Sequence, residues 1–406
     1  MPASVLKIQL AIVSQESLAN LIPCIKEKPD LIVLLASDEF SAQAEQLGSL
    51  IEGLDLLPAS GIEIRSGLPS SGLEAIQDFA LMLEDELSSR YPSALISYNA
   101  TGGNKLMALA FSEVFRGVQR EIIYCDTFND ALEVLSPDDQ PARPLENVLD
   151  VRTTLKAMGK TLRKIDSEEA AWQQRALARK QQTYWLVEQV MSQDGNIGFL
   201  NGRIHEASRD VGVIDNLCVT LGRSPGKTLK ALLKNFQAAG VLMWLAERNL
   251  IMLLDEQAKV YLTGGWLEEY VWLEATAAGA SEVYCGVSFT DDQYRKQNIR
   301  NEMDLIVQHH NRLLFVECKT SRFGRNQQAD SGIIYKLDSL SSQAGLFCNG
   351  VLVTARPLNH DTRSGYQVRN AERARSHKIY PVEAADIRTF RQVITRWMKT
   401  GFLPRD

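Results

Sequence analysis

From residue 5 to about 136, short apolar runs alternate with amphipathic stretches: VLKIQLAIV then SLANLIPCI, DLIVLLAS then SAQAEQLGSLI, IEIRS then GLEAIQDFALML, ALISYN then KLMALAFSEVF, and finally EIIYC. Apolar runs of five to nine residues rich in β-formers, each followed by a helical stripe, predict a mostly parallel sheet covered by helices, a Rossmann-like α/β domain. Parallel sheets of this kind bind ligands in the crevice beyond the carboxyl ends of their strands. The loops at those ends carry Ser14 and Gln15, then Ser37, Asp38, Glu39 and Phe40, then Asn99 through Lys105.

The chain has 406 residues, enough for two or three domains. The segment SPDDQPARPLENV, with three prolines and mixed charges, ends the first rhythm and reads as a linker. The domain organisation expected is an N-terminal domain over 1–136, a linker over 137–169, a helical, winged-helix-like module over 170–262 and a C-terminal α/β domain over 263–406. In the middle module, KTLKALLKNFQAAGVLMWLA reads as a helix with Gly240 as a cap, and NLIMLLDEQAKVYL as two strands around an Asp255-Glu256 turn.

No stretch is apolar enough to span a bilayer. The N-terminal MPASVLKIQLAIVSQES has one lysine and an alternating, strand-like run without a signal-peptide cleavage site, so a cytoplasmic protein is expected. Six scattered cysteines form no C-x-x-C pair, which argues against a zinc knuckle or disulfide framework. The formal charge of −6 hides a split. Residues 1–150 hold nine Lys and Arg against 23 Asp and Glu, a net of −14, and residues 151–406 hold 35 against 27, a net of +8. The C-terminal part is therefore the one suited to a polyanion.

Chemistry concentrates in NEMDLIVQHHNRLLFVECKT. Glu317 and Lys319 lie two apart on a strand and share a face, with Cys318 pointing the other way. If His310 and Asn311 form a two-residue turn, Gln308 pairs with Leu313, Ile306 with Phe315 and Asp304 with Glu317. The two carboxylates would then stand roughly 4.5–5.5 Å apart at Cβ. Charges that interrupt apolar strands are costly unless something offsets them. A hard divalent cation, Mn²⁺ or Mg²⁺, bound by Asp304, Glu317 and the Cys318 carbonyl fits the gap. Lys319 would orient or deprotonate a water and offset charge on a phosphorane-like transition state, as in a phosphodiesterase.

The order Gly264-Gly265-Trp266-Leu267-Glu268, Asp304, Glu317-Cys318-Lys319 resembles the PD-(D/E)xK, or restriction-endonuclease-like, nucleases. The GGWLEEYV form looks like the branch fused to CRISPR-associated Rossmann-fold (CARF) sensor domains. The resemblance implies a further acidic metal ligand on the preceding helix, Glu268, with Glu269 competing for that place; Met303 stands where the superfamily name has proline. At the other end, Asn99-Ala100-Thr101-Gly102-Gly103-Asn104-Lys105 follows a strand and opens a helix, so its glycines permit close backbone approach and the helix start offers N–H groups to an anion. This loop is similar to the CARF ligand loop. The resemblance then implies a homodimeric nuclease acting on DNA or RNA and switched on by a cyclic oligoadenylate, cyclic tetraadenylate above all, in type III CRISPR defence.

Two other classes compete. A ligand-responsive transcription regulator would pair the sensor with a winged helix, and would need no Asp304, Glu317 and Lys319 array. An unregulated repair or restriction nuclease would need no ligand loop. Gly222 through Thr228 imitates a P-loop but has three residues between its glycines instead of four, and His309-His310 imitates a metal pair although neighbours on a strand face opposite ways.

Overall fold

The computed structural model describes residues 5–209, 217–292, 300–321, 323, 327–343, 348–361 and 367–404. The N-terminal rhythm becomes β1 (Lys7–Ile12), α1 (Leu18–Glu27), β2 (Leu31–Leu35), α2 (Ser41–Gly53), β3 (Ile62–Arg65), α3 (Leu73–Arg90), β4 (Leu95–Asn99), α4 (Lys105–Gly117), β5 (Glu121–Asp126), β6 (Ala131–Ser136) and β7 (Arg143–Pro144). Their sheet has the order β3-β2-β1-β4-β5-β6-β7, parallel through β5 and antiparallel beyond it. Alternate residues of β1 and its immediate continuation serve opposite faces: Ile8, Leu10 and Ile12 pack beneath α3 and α4, whereas Ala11 and, just past the strand, Val13 pack beneath α1 and α2. The strand order reverses between β1 and β4, so the Ser14 and Asn99 loops leave the sheet side by side at its switch point.

The expected linker is built into both neighbours. Arg143 and Pro144 extend the first sheet as β7, Asp150 caps α5 (Val151–Ala157) by accepting from the Thr153 N–H at 2.6 Å, and β8 (Lys160–Ile165) is an edge strand of the C-terminal sheet. Proline ends regular pairing only briefly here, because the backbone on either side still finds partners.

Helices α6 (Ala170–Ala178), α7 (Lys180–Arg209), α8 (Lys227–Ala238) and α9 (Glu256–Val260) surround a three-stranded antiparallel sheet of β9 (Cys218–Thr220), β10 (Leu242–Leu245) and β11 (Leu250–Leu253). The hairpin differs from expectation. Gly240, at φ +65°, ends α8, the following LMWL is a strand, and the turn lies at 246–249. Asp255 caps α9, accepting from the Ala258 N–H at 2.6 Å, instead of turning a hairpin. Leu186, Leu200, Leu233 and Phe236 of this module share one core with Trp266, Val316 and Trp397 of the C-terminal domain.

That domain holds α10 (Trp266–Ala278), β12 (Glu282–Asp291), β13 (Arg300–His309), β14 (Arg312–Lys319), α11 (Gln327–Gln343), β15 (Cys348–Thr354), β16 (Asn359–Asp361), β17 (Gln367–Arg369), α12 (Asn370–Ser376), β18 (Ile379–Val382) and α13 (Phe390–Thr400). Its main sheet runs β18-β15-β14-β13-β12-β8, with β14, β15 and β18 parallel and the remainder antiparallel. Among the described residues, no helix is long and apolar enough to cross a membrane.

Candidate active site and ligand loop

The β13–β14 hairpin has the expected register, with Ile306 opposite Phe315, Gln308 opposite Leu313 and His309 opposite Arg312. His310 adopts the left-handed conformation, φ +46°, that a two-residue turn requires. Seven consecutive buried residues, Arg312 to Cys318, make β14 a central strand covered on both faces. Glu317 is only 3% exposed. Its Oε1 lies 2.7 Å from Lys319 Nζ, and its Oε2 lies 3.0 Å from Nζ of Lys336 on α11. Asp304 Oδ2 accepts the Cys318 N–H at 2.6 Å and stands 3.8 Å from Lys319 Nζ. The Asp304, Glu317 and Lys319 side chains therefore converge at one point, as the strand periodicity requires.

Helix α10 presents two glutamates to different surroundings. Glu269 is buried and gripped by the Arg179 guanidinium, whose Nε stands 3.0 and 2.9 Å from its two oxygens. Glu268 feels the field of Asp304, Lys319, Glu302 and Glu317. Burial, and then Asp304, pushes the Glu268 carboxyl up to about 8. Burial, and then Glu317, pushes Asp304 up to about 6 against the pull of Lys319, the Cys318 N–H and Lys336. Lys319 has the opposite balance: burial would lower it, but Asp304 and Glu317 hold it well above its ordinary value. Gly264 lies against Thr320, where an added Cβ would stand 3.1 Å from the threonine hydroxyl, so the glycine pair brings the start of α10 close to the end of β14.

Lys336 had no signal in the sequence, because a single lysine on an amphipathic helix is ordinary. Among the described residues, no three His, Cys, Asp or Glu side chains stand ready as a metal cage. His309 and His310 serve the turn, and burial pushes His309 down to about 4.

At the switch point, Asn99 is fully buried and works for the fold. Its Nδ2 donates to the Ala19 carbonyl at 3.1 Å and to Asn20 Oδ1 at 3.0 Å, and its Oδ1 accepts from the Thr101 N–H at 3.0 Å and hydroxyl at 2.6 Å. The Thr101 hydroxyl oxygen in turn accepts the Cys125 N–H at 2.8 Å. A Cβ on Gly102 would stand 2.1 Å from the Ile12 carbonyl oxygen, so this loop lies directly on the end of β1. Gly103 has φ +80°, and Asn104 caps α4 by accepting the Met107 N–H at 2.9 Å. Lys105, Gln15, Asp38 and Glu39 are exposed around this rim, Ser14 and Phe40 are half-buried, and Ser37 is buried.

Residues 8–153 match the family model of the Card1 CARF domain, and residues 255–400 match that of the Card1-like endonuclease domain. The chain is a CARF-domain nuclease. Its fold is shared along nearly the whole length with protein VC1899 from Vibrio cholerae, at 19% identity, a TM-score of 0.80, and coverage of 98% of this chain and 99% of that one. Can2 from Sulfobacillus thermosulfidooxidans, solved in complex with cyclic tetra-adenylate, gives 21% identity, a TM-score of 0.71 and coverage of 97% and 99%. A type III CRISPR defence DNA nuclease activated by cyclic oligoadenylate aligns with 93% of this chain and 52% of its own, at 16% identity and a TM-score of 0.50. At these identities the likeness is one of fold. No curated protein matches the chain by sequence. In this CARF-domain nuclease the candidate ligand loop, Asn99 to Lys105, lies on the CARF domain, and Asp304, Glu317 and Lys319 lie on the endonuclease domain.

Proposed function

We propose that this protein is a metal-dependent endonuclease of type III CRISPR antiviral defence, activated by cyclic tetraadenylate and cutting DNA, with RNA as the second substrate to test. The observation that carries the reading is the convergence of Asp304, Glu317 and Lys319 on one point of a buried hairpin. Such a cluster is costly for a purely structural role. A divalent cation suits it: three carboxylates, two of them pushed upward by burial and by neighbouring negative charge, gain from a compensating positive charge. Asp304, Glu317, Glu268 and the Cys318 carbonyl would hold Mn²⁺ or Mg²⁺. The cation would supply Lewis acidity at the scissile phosphate. Lys319, held protonated by its two acidic neighbours, is better suited to stabilise developing negative charge than to take a proton.

For the activator, the rim at Ser14, Gln15, Ser37 to Phe40 and Asn99 to Lys105 offers backbone donors, the α4 N-terminus and the Lys105 ammonium. A homodimer is supported by an exposed apolar strip on adjacent α3 and α4: Leu73, Leu81, Met82 at 67%, Leu106 and Leu109 at 66%. A two-fold ring seated between two copies would meet the same loop twice. The transcription-regulator reading leaves the buried acidic cluster without a role.

The test is cleavage of labelled DNA and RNA with Mn²⁺ or Mg²⁺, with and without cyclic tetraadenylate. Glu317→Gln or Lys319→Ala should abolish cutting and leave activator affinity nearly unchanged, since the two sites lie in separate domains. Near-wild-type cleavage by either variant would refute the site.

A further inference from the structure

Two lysines hold Glu317, and they do so from different kinds of scaffold. Lys319 belongs to β14 itself, whereas Lys336 reaches in from α11. Helix α11 buries Ile334 and Leu337 against the sheet, which leaves Lys336 on its flank with about a third (32%) of its side chain exposed. Its amine therefore spans the boundary between the acidic cluster and solvent. A cation binding Glu317 through Oε2 has to take the place Lys336 holds at 3.0 Å.

Charge balance says where the displaced amine goes. Ionised Glu268, Asp304 and Glu317 carry three negative charges, and Lys319 and Lys336 carry two positive ones. With a divalent cation bound beside these three ionised carboxylates, the site carries a surplus of one positive charge. A phosphodiester carries a single negative charge and cancels it.

We propose that Lys336 is a further substrate-binding lysine of the nuclease: it masks Glu317 in the metal-free enzyme, and moves to a non-bridging oxygen of the nucleic-acid phosphate when a divalent cation takes its place. This rests on the reading of Asp304, Glu317 and Lys319 as the nuclease site. The exchange makes and breaks no covalent bond. It explains how a buried carboxylate waits without a metal, and it ties phosphate capture to metal occupancy.

Lys336→Ala then has two effects of opposite sign. Removing the competitor tightens metal binding, and removing the phosphate partner weakens substrate binding. A merely structural lysine would weaken both. The experiment uses the full-length chain. Mn²⁺ is titrated calorimetrically into protein free of nucleic acid, and KM for a labelled oligonucleotide is measured at saturating cyclic tetraadenylate and Mn²⁺. We expect the Mn²⁺ Kd of the variant to fall roughly threefold or more, and KM to rise about tenfold, the scale of one charge-assisted hydrogen bond. Lys336→Arg should recover most of the loss in KM. Unchanged or weaker Mn²⁺ binding, or an unchanged KM, would overturn the proposal. Full activity in Glu317→Gln and Lys319→Ala would instead remove the nuclease site itself, whatever Lys336 does.

Discussion

Glu268 and Glu269 are chemically identical neighbours on α10, yet one is neutralised by Arg179 and the other faces Asp304. The difference gives a measurable pH dependence. In metal-free protein, burial holds the Glu268 and Asp304 carboxyls at about 8 and about 6. Both lie above the unfolded values of about 4. The folded chain thus binds more protons than the unfolded chain across that window. The contribution of these two carboxyls to stability is greatest at the acid end and is lost as pH rises toward 8. Glu268→Gln removes one of these ionisations. In EDTA, its Tm should fall less than the wild type's between about pH 5 and pH 8, and Mn²⁺ should restore the wild type at the alkaline end. Equal slopes by scanning calorimetry would show that Glu268 is not the titrating group.

At the level of elements, the ligand loop is shaped by β1 before any ligand arrives. Gly102→Ala would drive a methyl group onto the Ile12 carbonyl and should cost at least about 1–3 kcal/mol. Gly117→Ala, at the open end of α4, meets nothing within 4 Å and should be neutral or stabilising by about 0.5–1 kcal/mol. Urea denaturation of the two variants checks the contrast. The same elements show what could be read in advance. The five parallel strands of the first sheet and the β13–β14 register were legible because strands are rich in apolar β-formers, fully buried ones such as β2 most of all, and side chains alternate with a period of two. Strand β10 was hidden, since GVLMWLA continues the apolar spacing of α8 and only the left-handed Gly240 divides them. Strand β8, KTLRKI, was hidden because an edge strand tolerates the charges that make it look like a linker. The carboxylates and Lys319 could be placed by short-range geometry. Lys336 could not, because its approach to Glu317 depends on how α11 packs back across the sheet.

Across the whole molecule, the active-site hairpin ends on the chain that leaves the CARF domain. Asn311 Oδ1 accepts the Val148 and Leu149 N–H groups at 3.0 and 3.1 Å, and its Nδ2 donates to the Glu146 carbonyl at 2.9 Å. His310 and Arg312 both face Asp130, at 3.1 and 3.3 Å, in the turn after β5, the strand that Thr101 also holds. If activator binding is transmitted as rigid-body rotation, this joint is placed to carry it. Asn311→Ala should leave activator affinity near wild type and reduce the ratio of activated to basal cleavage by about tenfold, within the usual range of coupling between sites. An unchanged ratio would place the coupling elsewhere. Strand β8 bears on ancestry and engineering as well. The endonuclease family match begins at residue 255, but the sheet it describes is completed by residues 160–165, and the core beneath it by α7 and α8. A graft that cuts at 255 would uncover the flank of β12 and part of a shared interior. The catalytic half is therefore not a portable cassette: a graft that keeps its sheet and interior whole has to begin ahead of β8, at about the β7 crossing.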